Sequence, residues 1–119
     1  MEVIFSVSGN ILIAELLGEL DHHAAEKIRT DIDEAVHSND AKYLVFDFSK
    51  VRYMDSSGIG IVLGRYRKIT AEGGKVMIAA CPGTVKNIMN MAGIFSLMKY
   101  TENKEEAIRL IKETEEKNE

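Results

Sequence analysis

Two neighbouring serines follow an aspartate at the point where a strand is predicted to turn into a helix. They lie in residues 55–58, Asp-Ser-Ser-Gly, between an apolar segment that ends at Met54 and a helical repeat that begins at Ile59. Backbone N–H groups in the first turn of a helix have no partner inside the helix, so a side-chain oxygen caps them or they hold an anion. A serine hydroxyl at this place can cap the helix or accept a phosphoryl group. This turn is therefore the first candidate site.

Helix capping alone is the simpler explanation of the same turn. A helix needs one N-cap, however, and Asp55, Ser56 and Ser57 are all residues of the types that cap well. This redundancy favours a phosphorylatable hydroxyl in addition to a cap. We expect Ser57 to cap the helix and Gly58 to allow close approach of another surface.

The flanking elements place the turn at one edge of a sheet. Residues 43–48 form an aromatic and β-branched run without helical spacing, and residues 51–54 prolong it, which predicts a strand. Beyond Gly58, apolar residues recur at steps of three and four and predict a helix that ends at Gly73 and Gly74; they are Ile59, Val62, Leu63, Tyr66 and Ile69. Open α/β sheets usually bind ligands and partners at the carboxyl ends of their strands, which is where this turn lies.

The rest of the pattern predicts an α/β fold in the order β-β-α-β-α-β-α-β-α. The other predicted elements are a hairpin of strands 3–7 and 11–17, a helix capped by Asp21, a strand over 75–80, a helix starting at Pro82, a weak strand over 95–100 and a surface helix over 102–119 that frays at 117–119. This order implies a mixed, mostly parallel sheet of four to five strands with an antiparallel edge strand and about four helices. Residues 1–119 are expected to form one domain.

Size, charge and cysteine content narrow the class of protein. The chain has 119 residues and a formal net charge of -4, which argues against nucleic acid or an anionic membrane surface as a partner. One cysteine, Cys81, excludes an internal disulfide framework and fits a reducing compartment. No apolar run approaches the roughly 20 residues that cross a bilayer, and the first residues lack the features of a signal peptide. We expect a cytoplasmic protein.

Residues 21–23, Asp-His-His, are the second candidate for chemistry. Adjacent residues of a helix do not face each other, and the sequence offers no nearby cysteine or well-spaced third histidine to complete a ligand set, so no metal is expected. Asp21 differs, because it is predicted to lie on the same sheet edge as Ser56. The glycines in residues 58–64 and 73–75 lack the spacing of a dinucleotide fingerprint or a phosphate loop, so no cofactor is expected.

The predicted helix after the turn has two glycines on one side. Gly60 and Gly64 leave bare backbone one turn apart, at roughly 1 kcal/mol each in helix propensity. Ile61 lies off the apolar stripe and is expected to be exposed. A partner that packs closely against this helix would explain these residues.

Three segments together resemble the bacterial anti-anti-sigma factors of the STAS fold (sulfate transporter and anti-sigma factor antagonist). They are residues 18–23 (Gly-Glu-Leu-Asp-His-His), 54–60 (Met-Asp-Ser-Ser-Gly-Ile-Gly) and 63–66 (Leu-Gly-Arg-Tyr), followed by the glycine pair at 73–74. The resemblance covers essentially the whole chain. Within that family it is strongest to the anti-sigma F factor antagonists of spore-forming bacteria, because of Leu-Asp-His-His and the second serine of Asp-Ser-Ser-Gly.

The resemblance implies a partner-switching protein in transcription regulation and not an enzyme. Unphosphorylated members of the family bind an anti-sigma factor that is also a serine kinase, and so release the sigma factor. The kinase phosphorylates the serine after the motif's aspartate, here Ser56, and a PP2C-type phosphatase reverses this. Asp21 matches the family's partner-binding aspartate. The expected contact residues are Asp21, Asp55, Ser56, Ser57, Gly58, Ile59, Gly60 and Ile61, and the free protein is expected to be a monomer that acts in sporulation.

Two other functions remain open on the sequence. A STAS module that senses a small molecule or nucleotide would keep the fold and the exposed strand ends without requiring Ser56. A small serine hydrolase would need a base and a residue to orient it, and the sequence places no histidine or aspartate in those roles.

Overall fold

Five strands form one mixed sheet in residues 1–117, the part of the chain that this computed structural model describes. The strands are β1 (Glu2–Ser8), β2 (Ile11–Leu20), β3 (Tyr43–Met54), β4 (Lys75–Ala79) and β5 (Lys99–Thr101). The helices are α1 (His22–Ser38), α2 (Ser56–Ala71), α3 (Gly83–Met91) and α4 (Lys104–Lys117). None of these helices is long and apolar enough to cross a membrane.

The sheet has the predicted mixed topology. Its strand order is β1-β2-β3-β4-β5, with β1 antiparallel to β2 and every later pair parallel. The predicted element order and the antiparallel edge strand are therefore confirmed. Because the parallel strands all run the same way, the starts of α1, α2 and α3 follow strand ends at one edge of the sheet.

Both faces of the sheet are covered by helices. Side chains from α1, α2 and α3, such as Ile28, Val62 and Met89, join one apolar core with alternate residues of the strands. Ala107 and Ile111 of α4 are fully buried in a second core on the opposite face. α4 is therefore the predicted surface helix, and its apolar inner side belongs to this core. The predicted fraying falls partly on residues 118–119, which lie outside the described residues.

The region before β5 also differs from the prediction of a strand over residues 95–100. A short 3-10 helix spans Ile94–Ser96, and β5 begins only at Lys99. Gly93 has a φ of 76°, in the left-handed region that favours glycine, so the chain turns sharply after α3. Ile94 is fully buried directly after this turn, which fixes the helical segment on the core.

The ends of β2 and β3 extend beyond the rest of the sheet. β4 stops at Ala79, which lies opposite Asp47, so residues 48–54 of β3 pair only with β2. We call residues 17–20 and 48–54 the ribbon; its β3 part is about 20 Å long from the rise of a strand. Two register shifts lie in it, because β3 inserts extra residues opposite β2. The ribbon carries both candidate turns at its tip.

Candidate functional site

The two candidate turns lie side by side at the tip of the ribbon. Leu20 and Met54 are paired across β2 and β3, and the backbone N–H of Asp55 donates to the carbonyl oxygen of Leu20 at 3.4 Å. Asp21 and Asp55 follow the two strand ends, and helices α1 and α2 begin directly after these aspartates. The structure therefore brings Asp21 and Ser56 to the same sheet edge, as the sequence predicted.

Asp21 is the N-cap of α1, which confirms that prediction. Its Oδ1 accepts hydrogen bonds from the backbone N–H groups of His23 at 3.0 Å and Ala24 at 3.1 Å. The bond from Ala24 is the main cause that lowers the pKa of the Asp21 carboxyl, with further contributions from His23 and His22. This carboxylate is half-exposed and carries a full negative charge at neutral pH.

Asp55, and not Ser57, is the N-cap of α2. Its Oδ1 accepts from the backbone N–H of Ser57 at 2.8 Å, and its own backbone is extended while Ser56 is already helical. The predicted capping role of Ser57 is therefore wrong. The reason is that the helix starts two residues earlier than such a cap requires, and a carboxylate accepts a backbone N–H more strongly than a hydroxyl does.

The cap by Asp55 leaves Ser56 available for other chemistry. Ser56 is the first residue of α2 and is exposed, whereas Ser57 is half-buried. Within residues 1–117, neither hydroxyl takes part in a side-chain hydrogen bond. The site thus presents a hydroxyl at a helix N-terminus between two aspartates that are both used as caps.

Gly58 has a packing role that the sequence did not suggest. It is buried, and a Cβ atom added to it would lie 2.3 Å from Cγ of Met54 and 3.1 Å from Cδ2 of Leu20. Only a residue without a side chain allows α2 to settle this closely on the ends of β2 and β3. Gly58 therefore does allow close approach, and the surface that approaches it here is formed by the strand ends of the same chain.

Ile61 is also buried, with 5% of its surface exposed, so its expected exposure is wrong. Helix α2 packs against α1 as well as against the sheet, and its buried face is therefore wider than one stripe. Ile61, Arg65 and Ile69 are spaced by four residues and are all buried. Gly60 does remain exposed, and a Cβ atom there would meet nothing within 4 Å.

The two histidines after Asp21 face each other, although adjacent residues of a helix were not expected to do so. The rings of His22 and His23 contact each other, with centroids 3.9 Å apart and planes tilted by 38°, although adjacent helical residues usually diverge. Both are exposed in the first turn of α1. Among the described residues, no group of three His, Cys, Asp or Glu side chains is placed to hold a metal ion.

Sequence reasoning missed a buried ion pair between α1 and α2. Arg65 is 5% exposed, and its Nε lies 2.9 Å from Oδ1 of Asp33, at an angle too bent for a hydrogen bond. The same carboxylate lies near Lys68 and Arg29, at 3.1 and 3.9 Å. Burial lowers the pKa of the Arg65 guanidinium, and Asp33 opposes that shift. The Arg-Tyr of residues 65–66 gave no sign of this role.

Sequence reasoning also missed Arg52 and Tyr53 on the ribbon. Both are exposed beside the candidate turn, whereas Val51 and Met54 point into the core. Phe48, Val51 and Met54 are the buried residues of this stretch and are spaced by three instead of two. That spacing departs from the alternation of a regular strand, and it is the signal that could have revealed the shifted register.

Comparison with known proteins agrees with this architecture. Residues 2–107 match the profile of the STAS domain family. The "Anti-sigma F factor antagonist" of Paenibacillus polymyxa is 35% identical over 98 residues, which are 82% of this chain and 84% of that protein.

Two solved structures of a relative also match. One is "the Anti-Sigma Factor Antagonist SpoIIAA in its Unphosphorylated Form", with a TM-score of 0.79, 31% identity, and coverage of 92% of this chain and 96% of that chain. The other is "the Bacillus Cell Fate Determinant SpoIIAA in the Phosphorylated Form", with a TM-score of 0.72, 30% identity, and coverage of 92% and 99%. The chain therefore belongs to the STAS domain family, and its relatives within that family include anti-sigma F factor antagonists.

Proposed function

We propose that this protein is an anti-sigma factor antagonist that is switched by phosphorylation of Ser56. The unphosphorylated form binds an anti-sigma factor with serine kinase activity and so releases the sigma factor; a PP2C-type phosphatase restores this form. The protein acts by binding and is not itself an enzyme. The single observation that carries the proposal is the exposed hydroxyl of Ser56 at the first residue of α2, which Asp55 frees by taking the capping role.

Electrostatics explains how one phosphate would act at this position. A phosphoserine adds about -1.5 to -2 charges and three acceptor oxygens. The N-terminus of α2 tolerates that charge, because the helix dipole is positive there. The neighbouring carboxylates of Asp21 and Asp55 make the whole patch strongly negative after modification. The added charge and bulk weaken the close contact with the kinase by local repulsion and steric block, while the fold stays intact.

Both solved forms of the relative support a switch without refolding. The unphosphorylated and the phosphorylated form each match the fold of this chain, with TM-scores of 0.79 and 0.72. We therefore place the change at the surface. A loss of roughly 3 kcal/mol at such a contact weakens binding by about 100-fold.

The proposed contact surface has an outer and an inner layer. Six residues with exposed or half-exposed surface touch the kinase: Asp21, Asp55, Ser56, Ser57, Ile59 and Gly60. Gly58 and Ile61, which the sequence also assigned to the contact, act from beneath by fixing α2 on the strand ends and on α1. Asp21 contacts a basic group of the kinase, because its carboxylate is charged and, among residues 1–117, bonded only to backbone N–H groups.

Phosphate transfer with matched serine variants tests the proposal. The protein, Ser56→Ala and Ser57→Ala are each incubated with ATP and the cognate kinase, and the modified residue is located by mass spectrometry. We expect wild type and Ser57→Ala to be phosphorylated, and Ser56→Ala to remain unmodified. Equal phosphorylation of Ser56→Ala would rule out Ser56 as the acceptor.

One observation favours a second candidate function, a STAS module that senses a small molecule or nucleotide. A cavity of about 860 Å³ lies near the ends of α1 and α2 that are remote from Ser56, and Arg65, Lys68 and Lys42 contribute to its lining. Arg65 lines this cavity, and its Nη1 is buried without a hydrogen-bond partner among residues 1–117. A sensor that uses this cavity would keep its function in Ser56→Ala, whereas the phosphorylation switch would not.

A further inference from the structure

We propose that Arg52 and Tyr53 form a second part of the kinase-binding surface, with an acidic side chain of the kinase opposite Arg52 and an apolar pocket around Tyr53. This inference rests on the proposed function and extends it to residues outside the serine motif. The occupant is the same anti-sigma factor kinase that reaches Ser56.

A β-bulge places these two side chains outward. Gly18 pairs with Val51 and Glu19 pairs with Tyr53, so Arg52 has no partner on β2. An extra residue of this kind bends the strand and redirects the side chains next to it, and such bulges are common beside functional sites. Tyr53 is 51% exposed as a result, although it lies in a strand.

Arg52 shares a cavity with Asp21. The cavity has a volume of about 400 Å³, and its lining includes Arg52, Asp21, Glu19 and Lys27. Within residues 1–117, no carboxylate lies within ion-pair distance of Arg52, and Asp21 uses its carboxylate only for backbone N–H groups. One surface therefore offers an unpaired cation and an anion together. A partner fits it when it presents an acidic and a basic group in the matching order, which fixes the orientation of binding.

Tyr53 lies close enough to Ser56 for one partner to contact both residues. Ser56 is three positions after Tyr53 in the chain, so their Cα atoms are at most about 11 Å apart. A protein–protein contact of ordinary size covers about 800 Å² on each partner, which corresponds to a radius of about 16 Å. A kinase bound around Ser56 therefore reaches Tyr53. Tyrosine and arginine are also the residue types that contribute most often to binding energy in such contacts.

Binding of the unphosphorylated full chain to the cognate kinase tests the proposal. The variants are Tyr53→Thr, which removes the ring but retains a residue suited to strands, and Arg52→Glu, with Arg52→Gln as its milder form. The controls are Met91→Ala, which truncates a side chain that is 87% exposed on α3, and Lys112→Glu, which makes the same charge change on the exposed side of α4. Thermal unfolding confirms that every variant is folded at the assay temperature.

We expect Tyr53→Thr to weaken the complex about tenfold or more. Arg52→Glu should weaken it by at least as much, mainly through slower association, and high salt should reduce its effect; Arg52→Gln should have a smaller effect. Both controls should stay within about twofold of wild type. Should Arg52→Glu fail to fold, Arg52→Gln decides the electrostatic part of the proposal.

The outcomes separate this inference from the proposed function. Ser56→Asp, which puts a negative charge at the proposed phosphorylation site, is measured with these variants. If Tyr53→Thr and the Arg52 variants bind as wild type while Ser56→Asp binds weakly, the additional surface is wrong and the phosphorylation switch stands. If Ser56→Asp also binds as wild type, the proposed function is wrong and this inference falls with it. Equal weakening by the variants and by both controls would also overturn it, because the effect would not be specific to the ribbon.

Discussion

The backbone N–H of Asp55 donates to the carbonyl oxygen of Leu20, and this bond joins the starts of two helices that are distant in sequence. Asp21 follows Leu20 and caps α1, while Asp55 caps α2. Because the parallel pairing of β2 and β3 fixes both residues, the two carboxylates and the hydroxyl of Ser56 form one surface. A charge added at Ser56 therefore acts on a contact that also involves Asp21.

Replacing Asp55 by alanine should destabilise the protein by about 1 kcal/mol, because the first turn of α2 loses its cap. Ser57→Ala should change the free energy of unfolding by less than about 0.5 kcal/mol, since the Ser57 hydroxyl makes no hydrogen bond within the described residues. Urea unfolding of both variants measures this difference. A larger loss of unfolding free energy in Ser57→Ala than in Asp55→Ala would show that Ser57 is the N-cap.

Two glycines of α2 should respond to alanine in opposite directions. Gly58→Ala should cost about 1 to 3 kcal/mol, because the new Cβ would overlap with Met54. Gly60→Ala should stabilise the helix by about 0.5 to 1 kcal/mol, because its Cβ meets open space. Thermal unfolding of the two variants makes the comparison. Similar changes in both would show that Gly58 is not held against the strand ends as described.

Removing the carboxylate that pairs with a buried arginine should destabilise the protein more than removing the carboxylate that pairs with an exposed lysine. Asp33→Asn leaves the charge of Arg65 without its carboxylate and should destabilise by about 2 kcal/mol. Asp31→Asn, on the same helix, removes only the pair with Lys27, whose side chain is 77% exposed, and should cost less than about 0.5 kcal/mol.

The double variant Asp33→Asn/Arg65→Met provides the control for the charge itself. It should recover part of the stability lost in Asp33→Asn, because it removes the unpaired cation. Chemical unfolding measures the free energy of unfolding of the wild type, Asp33→Asn, Asp31→Asn and the double variant. No recovery in the double variant would mean that packing, and not charge, accounts for the loss.

Glu15 should make the protein more stable above mildly acidic pH. A hydrogen bond from Lys50 is the main cause that lowers the pKa of Glu15, the charges of Lys50 and Lys104 add to it, and burial opposes it. The unfolded chain binds this proton near pH 4.3 and the folded protein only at lower pH. The stabilisation is therefore complete above about pH 4.3 and is lost as pH falls through the folded pKa.

Glu15→Gln should flatten the fall in unfolding free energy below about pH 4.3 and leave the slope between pH 6 and 8 unchanged. Replacing Lys50 by methionine should raise the pKa of Glu15 toward its usual value, which NMR titration of the carboxyl carbon measures. A Glu15 pKa that does not rise in the Lys50 variant would show that the lysine does not cause the shift.

The sequence predicted the order of the elements, the mixed sheet and the shared edge of Asp21 and Ser56, because all three follow from alternating strands and helices with residues that cap well. It did not reveal which of three consecutive capping residues is the N-cap, since that depends on where the backbone first becomes helical. The last helix was predicted as a surface helix, but the sequence did not reveal the second core in which Ala107 and Ile111 pack, because charged residues surround them. The apolar run of residues 43–46 did indicate helices on both faces of the sheet, since a strand that is covered on both faces is a continuous apolar segment.

The affinity of the cognate kinase for the unphosphorylated and the Ser56-phosphorylated protein tests the central claim most directly. Isothermal titration with both forms, together with amide NMR spectra of each, measures binding and fold in the same samples. We expect binding weaker by about 100-fold after phosphorylation, with spectral changes confined to residues near the tip of the ribbon. Equal affinities, or a rearrangement of the whole sheet in the phosphorylated form, would contradict it.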